Sequence, residues 1–286
     1  MHFPDIQIAN AGKKALVNEI LSTIYRDKKT GYAGFLRKNG ARGLYNRISG
    51  WISENSVKTY KQLTINDKKK IIKVIKSTIQ KCLKFLPMPQ FSVFVFPRVQ
   101  IFNSYSEKMG RISGYTPRSF VIHIYIASRK FNIHSLNGTI AHEFNHSFFF
   151  NCHRSKSQTI REALIFEGLA ENFKEQITKK KSIVSQTLTE DESKKAFNQI
   201  YSILDINVNW EDGSDYKNIF FGGGRFKRWT GYSVGYYIVK AFRKEYSDIS
   251  WEALMKIAPR IIFNKSSFVK NQMKKQKINE KRDITN

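Results

Sequence analysis

The chain has 286 residues, of which 41% are hydrophobic and 14% aromatic, and it carries a formal net charge of +26. This apolar content excludes a disordered chain, and two cysteines are too few for a disulfide framework or a cysteine metal site. The length is sufficient for one large domain or two small ones.

Apolar residues at helical spacing predict two helices near the start of the chain. The first covers 14–26, and the second covers 67–86 with Asn66 or Asp67 as its N-cap. We therefore predict a mainly helical N-terminal region, 1–86, that packs on the rest of the chain.

Two short apolar runs, 91–96 and 119–126, are of strand length, and a glycine-bearing loop at 110–114 lies between them. They predict a small sheet in a second region, 87–263. Residues 264–286 are rich in Lys and Arg and poor in large apolar groups. They predict a helix end followed by a frayed basic tail.

The segment His142-Glu143-Phe144-Asn145-His146 carries the clearest chemistry. On a helix, residues four apart share a face, so His142 and His146 point the same way and can hold one zinc ion. Glu143 then lies within reach of a water on the metal. The alternative is a helix with two ordinary histidines.

A second segment, 162–173, supplies candidates for a third ligand. Its apolar residues recur at helical spacing, and Glu167 and Glu171 lie four apart on a stripe beside them. Gly168 would let this helix approach the histidine helix closely. The alternative is that both glutamates face solvent.

Three blocks of the sequence together resemble a known family: HEFNH, EALIFEGLAENF and WTGYSVGY. They resemble an uncharacterised family of predicted Zn-dependent proteases and, more widely, the gluzincins, thermolysin-like peptidases with two His and one Glu on zinc. The resemblance implies Glu167 as third ligand and Glu171 as a carboxylate behind a ligand histidine. It implies that 87–263 is a zincin-like catalytic domain, on which 1–86 packs, with an α+β fold of a small, mostly antiparallel sheet and a helical C-terminal part.

The chemistry expected from these assignments is peptide hydrolysis with one Zn²⁺ per chain. Zinc activates a water, and Glu143 takes its proton as general base. Tyr232 begins a Tyr-x-x-Gly pattern similar to that of aminopeptidase-type gluzincins, where the tyrosine stabilises the oxyanion. Tyr236 is the second candidate. The alternative for Tyr232 is a core tyrosine on a helix.

Substrate binding by the sheet is a further prediction. In gluzincins an edge strand beside the zinc adds extended substrate to the sheet, and strand 119–126 is the candidate. An ordinary sheet strand is the alternative, and His123 within it is expected to be structural. The chain lacks the Gly-x-Met-Glu-Asn signature of aminopeptidases, which favours an endopeptidase acting on peptides or proteins.

The excess of Lys and Arg has two interpretations. It is compositional, or it serves a weak, non-specific anionic partner such as nucleic acid or acidic lipid. The alternative function is thus a basic protein, associated with nucleic acid or a membrane surface, whose zinc site is structural. No signal peptide or transmembrane run is visible in the sequence, so we expect a cytoplasmic protein.

Overall fold

The computed structural model describes residues 13–27, 30–39, 45–46, 49, 63–97, 108–126, 130–153, 158–209 and 213–285. The chain divides into two compact units, Met1–Asn151 and Cys152–Asn286. The first holds a sheet among helices, and the second is helical, so the fold class is α+β as predicted. The predicted region boundaries at 86/87 and 263/264 stay predictions.

The described N-terminal helices are α1 (Lys13–Tyr25), α2 (Tyr32–Asn39) and α3 (Ile65–Leu83). The first and third confirm the two predicted helices, but the predicted cap of the third is wrong. Thr64 is the N-cap: its hydroxyl accepts from the N–H of Asp67, and the Asp67 carboxylate accepts from the N–H of Thr64. This reciprocal capping box places the helix start upstream of Asn66.

The sheet of the first unit has three described strands: β1 (Ser92–Pro97), β2 (Ile112–Arg118) and β3 (Val121–Ile126). Their order is β1-β3-β2. The β1–β3 pair is parallel and the β2–β3 pair is antiparallel. The described sheet is therefore mixed, and the predicted mostly antiparallel sheet is not found. Strands β1 and β3 are both buried on both faces, which is typical of continuous apolar runs.

Two strand predictions need correction. Gly114 lies inside β2 and not in a loop; the turn before the strand is formed by Gly110 and Arg111, both at positive φ. Strand β3 is central in the described sheet, because it pairs with β1 on one side and β2 on the other. It cannot accept an added substrate strand, so the predicted edge role for 119–126 is wrong.

The last helix of the first unit, α4 (Ile133–Cys152), carries the HEFNH segment. It follows the hairpin formed by β2 and β3. Hydrogen bonds join the hairpin to α4. The Thr116 hydroxyl donates to the Glu143 carboxylate, and the backbone N–H of Phe120 donates to Oγ of Ser147 at 2.8 Å. Glu143 and Ser147 are four apart, so one stripe of α4 lies along the hairpin.

The second unit is built from helices. They are α5 (Ile160–Thr178), α6 (Glu190–Ile200), α7 (Asp215–Lys217), α8 (Thr230–Glu245), α9 (Trp251–Lys256), α10 (Pro259–Lys265) and α11 (Ser267–Thr285). A 3₁₀ turn, Tyr201–Ile203, follows α6, and a π-helical segment, Asn218–Gly222, follows α7. Helices α5 and α8 pack on each other most extensively.

The packing of α5 on α8 depends on a glycine from each helix. A Cβ at Gly168 would come closer than 3.0 Å to the carbonyl oxygen of Gly235, and a Cβ at Gly235 would meet the carbonyl oxygen of Leu164. Gly168 therefore serves the approach of α5 to α8. The atoms that a Cβ at Gly168 would meet belong to Gly235 and Val239, and the predicted approach to the histidine helix stays a prediction.

The C-terminal residues form a helix that contributes buried side chains. Helix α11 runs through Ser267–Thr285, and Phe268, Val269 and Gln272 are buried. Ser266, just before it, donates to the carbonyl oxygen of Ile238 at 2.8 Å. The predicted helix is thus confirmed here, and the fraying of the tail stays a prediction. Across the described ranges, no helix has the length and apolar character needed to cross a membrane.

Candidate active site

Helix α4 presents the two histidines on adjacent turns. The side-chain oxygen of Asn132 accepts from the N–H groups of His134 and Ser135 and so holds the start of the helix. The rings of His142 and His146 lie 4.5 Å apart between centroids, at 87° to each other. His142 is half-buried and His146 is buried. This is the shared face that the spacing predicts.

Glu143 lies on the neighbouring stripe of α4, against strand β2. Its Oε2 accepts from the Thr116 hydroxyl at 2.7 Å. A Cβ at Gly114 would overlap the Glu143 side chain, coming within 3.0 Å of its Cγ, Cδ and Oε1. Thr116 and Gly114 were missed by the sequence analysis. The alternation of β2 places both on one face, but this signal needs a strand at 112–118, and the sequence analysis predicted a loop at 110–114 and no strand there.

Glu167 lies on α5, whose start is well defined. Thr159 and Glu162 form a reciprocal capping box at its N-terminus. Glu167 is 6% exposed and Glu171 is 2% exposed. The alternative that both glutamates face solvent is therefore wrong. A buried carboxylate is stable only with a compensating partner, whether a donor, a cation or a metal.

Among the described residues, His142, His146 and Glu167 form a group that could hold a metal ion. One ligand atom from each lies within 4.8 Å of those of the other two. Two imidazoles and one carboxylate are a donor set that zinc accepts, and three protein ligands leave a fourth position for water. The residues present therefore fit the metal.

Glu171 has partners of its own in the second unit. Lys174 Nζ donates to its Oε1 at 3.1 Å, and the Ser182 hydroxyl donates to its Oε2. A buried carboxylate held by an ammonium and a hydroxyl is electrostatically satisfied. Its role behind a ligand histidine stays a prediction.

The two candidate oxyanion tyrosines lie on α8 and differ in environment. Tyr236 is 1% exposed and its hydroxyl donates to Oε2 of Glu175 at 2.5 Å. Burial, and then this hydrogen bond, raise the pKa of Tyr236. Tyr232 is half-buried, and its ring meets the Phe220 ring edge-on at 5.4 Å. The Tyr236 hydroxyl hydrogen is thus engaged within the second unit.

Tyr216 is a further tyrosine close to Glu167 in the second unit, and sequence analysis did not identify it. It lies on the short helix α7, is buried, and stacks on Phe220 at 4.7 Å. Burial, followed by the negative charge of Glu167, raises the pKa of Tyr216 well above its usual value. Its phenol therefore stays neutral beside that carboxylate.

His123 belongs to the core of the first unit, as expected. It is fully buried on β3, and its Nδ1 lies 3.1 Å from the Tyr125 hydroxyl. Aromatic rings surround it: Tyr32, Phe94, Phe96, Tyr115 and Tyr125. Burial lowers its pKa to about 3, so the ring is neutral near pH 7.

Comparison with known proteins identifies one family. The model of the family described as predicted Zn-dependent protease (DUF2268) matches residues 71–264. No curated protein and no solved structure matches the chain. The matched range covers more than half of the chain and includes α4, α5 and α8. The chain therefore belongs to this family of predicted zinc-dependent proteases.

Proposed function

We propose that the protein is a zinc-dependent peptidase of gluzincin type. The observation that carries the proposal is the group formed by His142, His146 and Glu167, whose ligand atoms lie within 4.8 Å of one another. Glu143 adjoins the first ligand in sequence and cannot itself share their stripe. A purely structural zinc site has no use for it, whereas hydrolysis requires a base.

The proposed metal ligands are His142, His146 and Glu167, with one Zn²⁺ per chain. When bound, zinc polarises water and the scissile carbonyl group. The two histidines supply neutral imidazoles, and Glu167 reduces the net positive charge of the centre. Glu167 is buried, so a bound metal would compensate the charge of its carboxylate.

Glu143 is the proposed general base. It takes a proton from the attacking water and passes it to the leaving amine. Its carboxylate is buried and accepts a hydrogen bond from the Thr116 hydroxyl, which orients it. A base held in place before substrate arrives loses little entropy in the reaction.

Tyr232 is the proposed donor to the oxyanion of the tetrahedral intermediate. It is supported by its Tyr-x-x-Gly pattern and by its partial exposure on α8. Tyr236 is less suitable, because its hydroxyl hydrogen is already donated to Glu175. Glu171 is proposed to act behind a ligand histidine, and the fold is proposed to be zincin-like.

An endopeptidase is proposed because the chain lacks the aminopeptidase signature Gly-x-Met-Glu-Asn. The test is hydrolysis of a mixed peptide library by the zinc-loaded protein. The metal-free protein and the Glu143→Gln variant serve as controls. We expect internal cleavage by the loaded protein alone. Release of single N-terminal residues would contradict the endopeptidase assignment, and no cleavage of any peptide would contradict the peptidase itself.

A further inference from the structure

Thr116 is the polar side chain that holds the carboxylate of Glu143. Its Oγ1 donates to Oε2 of Glu143 at 2.7 Å and lies 3.0 Å from the backbone carbonyl oxygen of the same residue. Each of the two residues is 6% exposed. A hydrogen bond to an ionised acceptor is stronger than one to a neutral carbonyl, so the hydroxyl hydrogen belongs mainly to the carboxylate.

Gly114 provides the backbone surface on which the Glu143 side chain packs. It lies two residues before Thr116 on β2, hence on the same face of the strand. A methyl group at Gly114 would overlap Cγ, Cδ and Oε1 of Glu143. The side chain therefore lies directly on the backbone of the strand, with Oε2 held by Thr116. One oxygen is bonded and the other is packed against backbone, which restricts rotation of the carboxylate.

The pairing of β2 with β3 is irregular close to the residues that contact Glu143. The β2–β3 register is regular from Ile112 to Tyr115 and shifts before Arg118, so Thr116 and Pro117 lie within the shift. Bulges of this kind redirect a side chain and are frequent beside active sites. Pro117 has no N–H to offer the ladder. The local geometry of β2 is thus specialised where it contacts Glu143.

We propose that Thr116 is a positioning residue, which holds the Glu143 carboxylate in the orientation needed for proton transfer. The inference rests on the proposed peptidase function. It extends that function to a strand residue that touches neither metal nor the reacting atoms. Because Thr116 acts through Glu143, removing its hydroxyl matters only while Glu143 is present as a base.

The test compares Thr116→Val, which keeps the shape of the side chain and removes the hydroxyl, with Thr116→Ser, which keeps the hydroxyl. Each is made in the wild-type and in the Glu143→Gln background. We expect kcat of Thr116→Val to fall by about 10- to 100-fold, the size of effect expected from misplacing a catalytic group. KM and zinc stoichiometry stay unchanged, and Thr116→Ser restores most of kcat.

In the Glu143→Gln background, Thr116→Val should cause no further loss of the residual rate. A crystal structure of metal-free Thr116→Val should show the Glu143 carboxylate displaced from β2, whereas Thr116→Ser should keep it in place. If Thr116→Val binds zinc poorly, the metal-free crystal structure still shows whether Thr116 holds the Glu143 carboxylate in place.

Either of two kinetic results would overturn the inference: unchanged kcat in well-folded Thr116→Val, or an equal loss in both backgrounds. An undisplaced Glu143 carboxylate in the Thr116→Val crystal would do the same. The proposed function fails in a different way, through absence of hydrolysis by the zinc-loaded wild-type chain. In that case the crystal structures still decide whether Thr116 holds the carboxylate.

Discussion

Gly168 and Gly235 lie against each other where α5 crosses α8. A methyl group on either glycine would clash with backbone atoms of the other helix. Asn172, one turn after Gly168, donates from its amide to the carbonyl oxygens of Gly168 at 2.8 Å and Tyr236 at 3.0 Å. The two helices are thus joined by close packing and by a bridging amide. Because Glu167 precedes Gly168, the crossing sets the position of the proposed carboxylate ligand.

Gly168→Ala should destabilise the protein and weaken zinc binding. The new methyl group meets backbone atoms of Gly235, which cannot rotate away, so the helices must separate. We expect a net loss of about 1–2 kcal/mol in the free energy of unfolding, since overpacking costs about 1–3 kcal/mol and helix propensity returns about 1 kcal/mol. Denaturant unfolding of the metal-free protein and zinc titration measure the two effects.

Gly34→Ala is the matched control for that change. Gly34 lies in helix α2, and a Cβ there meets nothing within 4 Å. The same substitution should therefore stabilise by up to about 1 kcal/mol through helix propensity alone. If Gly168→Ala stabilised as much as Gly34→Ala, the close crossing would be refuted.

Alanine substitutions should distinguish the proposed zinc ligands from Glu171 by how much zinc affinity each one loses. Ala at His142, His146 or Glu167 should each reduce zinc affinity by more than the roughly 10- to 100-fold expected for Glu171→Ala. Competition with a chromogenic chelator measures the affinities, and Glu252→Ala, on an exposed ion pair, is the control. If Glu171→Ala lost zinc and Glu167→Ala kept full affinity, Glu171 would be the third ligand and Glu167 would not.

Tyr232→Phe and Tyr236→Phe should differ in what they damage. Loss of one oxyanion donor lowers kcat by about 100- to 1000-fold, and we expect this for Tyr232→Phe with stability retained. Tyr236→Phe leaves Glu175 without its donor and should cost about 1–3 kcal/mol of stability with kcat retained. Steady-state kinetics beside thermal unfolding distinguish them, and the opposite pattern would assign the oxyanion to Tyr236.

His123 should make stability depend on pH in the acidic range. Its folded pKa of about 3 lies below the value of 6.5 that it has when exposed, so the unfolded chain binds more protons between these values. Stability contributed by the neutral ring is present above pH 6.5 and is lost as the pH falls, by at most about 1.4 kcal/mol per unit. Denaturant unfolding between pH 7.5 and 4.5 measures the slope.

His123→Phe is the comparison for that measurement, because it keeps an aromatic ring in the aromatic surroundings and removes the titrating group. We expect a shallower decline for the variant than for the wild-type chain across the same range. Parallel curves would mean that His123 contributes nothing to the pH dependence.

The net charge of +26 should yield only weak nucleic-acid binding. We expect binding at low salt that disappears near 150 mM, where the screening length is about 8 Å. Hydrolysis should persist when residues 277–286 are removed. Removal of 264–286 should instead destabilise the chain, because Phe268 and Val269 are buried. Tight binding at physiological salt without hydrolysis of any peptide would favour the basic binding protein.

The sequence predicts the histidine face well, because an i, i+4 pair is a local property of one helix. It predicts the start of α3 less well, because the capping box ends in Asp67 where Glu or Gln is usual. The sequence does not predict the contact of Gly168 with Gly235 or the contact of Thr116 with Glu143. Both depend on which elements pack together, and neither spacing nor composition encodes that pairing.

The most direct test of the central claim is the Glu143→Gln variant. Glutamine keeps the shape of the side chain and an oxygen that accepts from Thr116, but it cannot take a proton from water. We predict that the variant binds one zinc per chain with unchanged affinity, unfolds at the wild-type temperature, and loses nearly all peptide hydrolysis. Near-normal turnover in the zinc-loaded variant would contradict the account.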